Sequence, residues 1–142
     1  MTNATMRKFG YPDTLVRELD HWAVLVRPAQ VTLGSLVLAS TSDATAYSAL
    51  PAAAFSEQGE AVRAIESALG EFCGYERINY LMLMMVDRQV HFHVIPRYSG
   101  ARRWQGIEFA DAGWPGPPQL KIVAELEAAQ SNSMTEQLKR LF

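Results

Sequence analysis

Cysteine is almost missing from this 142-residue chain: Cys73 stands alone, so no disulfide can close within it. That excludes the stapled frameworks of small secreted domains and suits a reducing compartment, with cytoplasm the expected one. Long apolar runs are missing too, since none approaches the ~18–20 residues of a membrane span. The first residues, MTNATMRKFG, carry no apolar leader stretch, so neither membrane association nor export is expected. Charge of one sign is scarce: 13 Lys and Arg against 15 Asp and Glu leave a net charge of -2. That is too little for a surface dedicated to nucleic acid. The exception is local. Residues 88–103 contain no acid but hold Arg88, Arg97, Arg102 and Arg103, a stretch that either holds a small anion or forms a solvated edge.

What is present suffices for a core. Apolar residues make up 49% of the chain, enough at this length to fold without staples. No repeat or linker divides it, so one domain over 1–142 is expected. Its core lies at about 20–100, after a short N-terminal arm, and a loop and helix over 101–142 follow. His21 to Arg27 (HWAVLVR) and Ser35 to Ser40 (SLVLAS) are short apolar runs joined through Pro28 and Gly34, and read as antiparallel strands. Pro51 suits a first helical turn, and Phe55, Gln58, Val62, Ile65, Leu69 and Phe72 recur at helical spacing. A helix over 51–72 is predicted, stopped by Gly74. Ile78 to Val86 and Val90 to Pro96 read as strands hinged on Asp87-Arg88, which sets Met84 opposite His91 if the turn has two residues. The spacing of Leu120, Val123 and Leu126 predicts a last helix from Gln119 to about Ala129. The expected class is α+β: an antiparallel sheet with a long helix packed across it.

Only three histidines occur, and His91 and His93 alternate on one predicted strand, so both rings point to one face. Gln89 shares that face, while Val90, Phe92 and Val94 fill the other. Three readings are open. The row lies on an exposed face; or it binds a metal, as His-x-His can, although His21, Cys73 and Asp87 complete no tetrahedral spacing and no metal or cofactor is expected; or it is catalytic. A neutral imidazole attacks phosphorus well when its other nitrogen donates a hydrogen bond that fixes the tautomer. Gln89, His93 and backbone amides then supply donors for the phosphate oxygens. Arg97, after Pro96, is a candidate bidentate phosphate donor. His21, Cys73, Asn79 and Tyr80 are read as structural, and Trp104 and Trp114 as covering a pocket or a subunit face.

The run Gln89-Val90-His91-Phe92-His93-Val94-Ile95-Pro96-Arg97 resembles the signature strand of the histidine-triad (HIT) nucleotide hydrolase and transferase family, His-φ-His-φ-His-φ-φ with φ apolar. The order strand, glycine, strand, helix, hairpin, signature agrees over roughly residues 20–100, and Trp114-Pro115-Gly116-Pro117-Pro118 is similar to a branch of bacterial members. The resemblance implies that His91 is the nucleophile toward the α-phosphate of an adenylated substrate, a dinucleoside polyphosphate or a nucleoside phosphoramidate. His93 would contact the phosphate and the bridging atom. A purine nucleotide or dinucleotide would lie in a cleft between the first two strands and the helix, against Val24, Val26 and Leu36. A homodimer paired through helix and sheet edge is also consistent with it. The chain departs from the pattern at three places. Gln89 replaces the first histidine and cannot carry a proton. Met84 and its neighbours stand where relatives place an amide near the α-phosphate. Arg27 stands where relatives use Asn or Asp for the ribose hydroxyls. A nucleotide-binding module with little turnover is therefore the alternative function, and a His-x-His metal protein the third.

Overall fold

The computed structural model describes residues 2–142. The chain opens with a helix α1, Ala4–Lys8, whose N-terminus is capped by Asn3 accepting from the Met6 amide, which satisfies one donor the short helix leaves free. Strands β1 (Leu15–Glu18), β2 (Trp22–Val26), β3 (Ala29–Gln30) and β4 (Leu36–Ser40) follow. Helix α2, Ala52–Cys73, then precedes β5 (Arg77–Leu81) and β6 (His91–Arg97). The remainder is β7 (Arg102–Trp104), β8 (Ile107–Phe109), β9 (Ala124–Glu125) and α3 (Ala128–Lys139). The main sheet has five strands in the order β1-β2-β4-β6-β5, with antiparallel neighbours throughout. The α+β expectation, antiparallel sheet and long helix, is met.

Both central strands are buried at every position, as expected where each face of a sheet is covered. Trp22, Val24, Val26, Leu36 and Leu38 face the main core with Ile65 and Leu69 of α2. The Trp22 indole N–H ties the layers by donating to the Ala54 carbonyl at 2.7 Å. Alternate residues Ala23, Leu25, Val37 and Ala39 face a smaller cluster with Met6 and Phe9 of the N-terminal arm. Helix α2 ends as predicted at Gly74, which adopts φ 57 and returns its N–H to Gly70. Gly34 turns the chain from β3 into β4 at φ +92, and a Cβ there would meet Leu69 at 3.1 Å. Only glycine meets both demands cheaply.

Three expectations are corrected. The hairpin at Asp87-Arg88 is absent: β5 stops at Leu81, which pairs with His93, and residues 82–90 form a loop instead. Met84 has φ 52 there and does not face His91 in a ladder. The apolar run that reads as strand is diverted because His91 remains paired to Ala39 of β4 while Val90 bonds through its N–H to the Ala44 carbonyl. The helix from Gln119 to Ala129 is also absent. Residues 124–125 form β9 against β3, and Leu126 donates to the Pro28 carbonyl. The helix begins at Ala128, where Glu127 and Gln130 close a reciprocal capping box. Finally, the core reaches beyond 20–100. Met6 and Phe9 of the arm, Val16 of β1, and Trp104, Phe109, Met134 and Leu138 of the C-terminal part are all buried.

Candidate active site

Register and alternation place the histidines. Ala39 stands opposite His91 and Val37 opposite His93 across β4 and β6, so both rings emerge on the face of the smaller cluster, away from α2. They are buried, at 2% and 8% exposure, which removes the exposed-face reading. Their centroids are 5.1 Å apart and nearly perpendicular. Phe9 stands against both, 5.8 Å from His91 and 5.7 Å from His93. A cavity of about 450 Å³ opens onto these rings, within the range of small-molecule sites. Its walls include Phe9, Arg27, Leu83, Met84 and Glu125.

The hydrogen bond of His91 decides its chemistry. Nδ1 lies 2.7 Å from the main-chain carbonyl of Gln89, and a carbonyl oxygen only accepts. Nδ1 therefore carries the proton, and in the neutral ring Nε2 keeps its lone pair. His93 differs. Burial, the nearby Arg27 cation and His91 together push it down to about 4, so it is uncharged near neutrality and acts through hydrogen bonding. Its buried Nδ1 has no hydrogen-bond partner among the described residues.

Other predicted residues divide. Arg27 and Met84 line the cavity. Gln89 lies before β6 rather than on it; its side-chain oxygen accepts from Thr5 at 2.6 Å, and only its carbonyl serves the histidines. Val24, Val26 and Leu36 do not line the cavity. Strand alternation turns them to the opposite face, where they are fully buried against the helix, so the cleft expected between these strands and α2 is filled with core. Arg97 is also elsewhere, and its guanidinium is spent. It makes a two-pronged ion pair with Asp111 at 2.6 and 3.0 Å and also donates to Asn79 and the Gly116 carbonyl.

Two more of the clustered arginines are also engaged by the protein itself: Arg102 stacks over Tyr98 and bonds the carbonyls of Cys73 and Gly74, while Arg103 bonds that of Gly106. Tyr80 donates to Glu66, and Trp104 donates to Gln137 within the C-terminal layer. The Cys73 thiol is buried and pushed up to about 11 by desolvation, which makes it a poor nucleophile.

Sequence reasoning missed Phe9, Lys8, Asp87 and Glu125. Lys8 of α1 pairs with Asp87 of the 82–90 loop at 2.8 Å, joining two sides of the cavity rim. A five-residue helix is too short for a periodic signal, and ion pairs between distant loops leave none. Among the described residues no three His, Cys, Asp or Glu side chains cluster as a metal site requires. No helix among them is long and apolar enough to cross a membrane.

A five-stranded antiparallel sheet, one long helix on one face and paired buried imidazoles on the other define a class of protein. No protein-family model and no curated sequence matches the chain, but solved structures do. A histidine triad (HIT) protein from Sinorhizobium meliloti superposes with a TM-score of 0.77 at 17% identity, over 100% of this chain and 96% of that one. A histidine triad protein from Bradyrhizobium japonicum gives 0.74 at 19%, over 99% and 96%. Diadenosine triphosphate hydrolase of Plasmodium falciparum gives 0.68 at 10%, over 91% and 76%. The chain has the histidine-triad fold, as the signature run implied.

Proposed function

We propose that this protein is a nucleotide hydrolase or nucleotidyl transferase in which His91 Nε2 attacks the α-phosphorus of an adenylated substrate. The observation that carries the reading is the 2.7 Å bond from His91 Nδ1 to the Gln89 carbonyl. It fixes the tautomer before attack. As the P–N bond forms, the ring becomes cationic, and the same carbonyl stabilises that charge. The bond from phosphorus to the leaving oxygen or nitrogen breaks, and the electron pair leaves with that group. Water or another acceptor then attacks phosphorus and releases the ring. The buried position of both imidazoles and the aromatic wall of Phe9 keep bulk water from the reacting atoms. A fold relative that hydrolyses diadenosine triphosphate adds support at the level of chemistry. Cytoplasmic location and pairing of two subunits belong to the same proposal.

One observation favours a binder with little turnover instead. The first triad position is a carboxamide whose oxygen accepts from Thr5, and an amide has no titratable proton to give a leaving group. The two readings separate on a fluorogenic adenosine phosphoramidate. Turnover by the native protein that is lost in His91→Ala supports the enzyme. Saturable AMP binding with no turnover in either protein supports the binder.

A further inference from the structure

We propose that Thr5, on the N-terminal arm, is a positioning residue for the nucleophile: its buried hydroxyl tethers Gln89 so that the main-chain carbonyl of Gln89 stays on His91 Nδ1. The inference rests on the catalytic reading above and adds to it the element that holds His91 in its reactive tautomer.

The bond that fixes the tautomer comes from a residue outside the sheet. Strand β6 begins at His91, so no ladder pairing orients Gln89. Two tethers do so instead. On one side the Thr5 hydroxyl donates to Gln89 Oε1 at 2.6 Å. On the other the Val90 N–H donates to the Ala44 carbonyl at 3.0 Å. The Gln89 carbonyl and the Val90 N–H belong to one planar peptide unit and point to opposite sides of it. Holding the N–H on Ala44 therefore aims the carbonyl the other way, where His91 Nδ1 meets it at 2.7 Å. The plane can still tip about the Cα of Gln89, and the bond from Thr5 restrains that residue through its side chain.

Both tethers lead back to the arm. Asn3 and Thr5 are buried, at 2% and 1% exposure. A threonine hydroxyl inside a helix commonly bonds the carbonyl four residues back. Thr5 is the second residue of α1 and has no preceding turn to bond, and its hydroxyl crosses instead to a residue 84 positions away. Asn3 donates to the carbonyls of Ser40 at 2.8 Å and Ser42 at 2.7 Å, bracing the turn that presents Ala44 to Val90. Met6 and Phe9 bury the arm, but apolar contact is non-directional, so the hydrogen bonds set its register. That register also places Phe9 against both imidazoles. Gln89, which cannot carry the proton of a histidine, thus serves as a tether through its side chain and as an acceptor through its main chain.

Three variants test this. Thr5→Val removes the hydroxyl at nearly constant size, Thr5→Ser keeps it, and Gln89→Met removes the acceptor but leaves the main-chain carbonyl. Each is assayed for kcat and KM on the adenosine phosphoramidate. The tautomer of His91 is read by NMR of the ring nitrogens in mildly alkaline solution, where an ordinary imidazole is neutral, with His91→Ala to assign its signals. Thr5→Val should lower kcat about three- to tenfold, leave KM nearly unchanged, and show a mixture of tautomers where the native ring is held as Nδ1–H. Thr5→Ser should recover most of the loss. Gln89→Met should match Thr5→Val, and the double variant should be no worse than either. If Thr5→Val fails to fold, Gln89→Met decides by the same two readouts. Native kcat and a single tautomer in these variants overturn the proposal. So does a loss of kcat that leaves the tautomer unchanged or that Thr5→Ser does not recover, since Thr5 would then only pack the arm. Absence of turnover in the native protein overturns the enzymatic reading and this inference together, whereas native turnover that Thr5→Val leaves intact overturns this inference alone.

Discussion

The two faces of the central sheet are made from alternate residues of the same strands, yet they do opposite work. On the helix face Trp22, Val24, Val26, Leu36 and Leu38 meet α2 and are sealed into the main core. On the other face Ala23, Leu25, Val37 and Ala39 are covered by a short arm, and the sheet continues past that cover into a cavity with two imidazoles. A long amphipathic helix closes one face completely, whereas a five-residue helix and a loop close the other only in part. Stability should therefore concentrate on the first face and chemistry on the second.

Single substitutions can break this contrast. The largest effect expected is on turnover: His91→Ala should lower hydrolysis of an adenosine phosphoramidate by about 10³-fold or more, because it removes the nucleophile. A thermal melt of that variant should remain cooperative. Leu69→Ala, on the helix face, should do the reverse, costing about 2–5 kcal/mol in denaturant unfolding through the cavity it leaves. Its remaining folded fraction should turn over normally. If Leu69→Ala impaired the chemistry of the folded fraction as severely as His91→Ala, the two faces would not be separable.

The pH dependence sharpens the same comparison. The folded protein holds His93 near 4, while an unfolded chain protonates a histidine at about 6.5. The unfolded state thus binds the proton first, and stability falls as pH drops from about 6.5 to about 4, with no further loss from this group below that. His93→Gln should flatten this part of a stability profile measured by chemical denaturation. The smallest effect belongs to the rim. Lys8 is half-exposed in its pair with Asp87, so Lys8→Ala should cost about 0.2–1 kcal/mol, less at high salt. A loss several times larger would mean that the arm is held by its charge rather than by Met6 and Phe9.

The sequence was most legible where a period ran long enough to be read. Helix α2 shows its face through Ile65 and Leu69 and its end through Gly74. The alternation in β6 by itself puts His91 and His93 on one side. Legibility failed where tertiary pairing overrode local composition. Leu83, Met85 and Val86 belong to an apolar run but stand exposed in the 82–90 loop, because β6 remains paired with β4 at His91 while β5 ends early. Leu120, Val123 and Leu126 have helical spacing, but β3 claims their neighbourhood as a strand; the Glu127 to Gln130 capping box was the better signal for where α3 starts. Val24, Val26 and Leu36 were assigned to the wrong side because alternation fixes which residues share a face but not which face carries the helix. Arg97 was misread because its partner Asp111 lies outside the signature run.

The central claim is that His91 presents an unprotonated Nε2 to phosphorus while Nδ1 remains bonded to the Gln89 carbonyl. A crystal structure with AMP tests it most directly. The account predicts phosphorus about 3–3.5 Å from Nε2, with the Nδ1 contact intact. AMP phosphate bound away from the histidine face, or approaching the ring only through Nδ1, would contradict it.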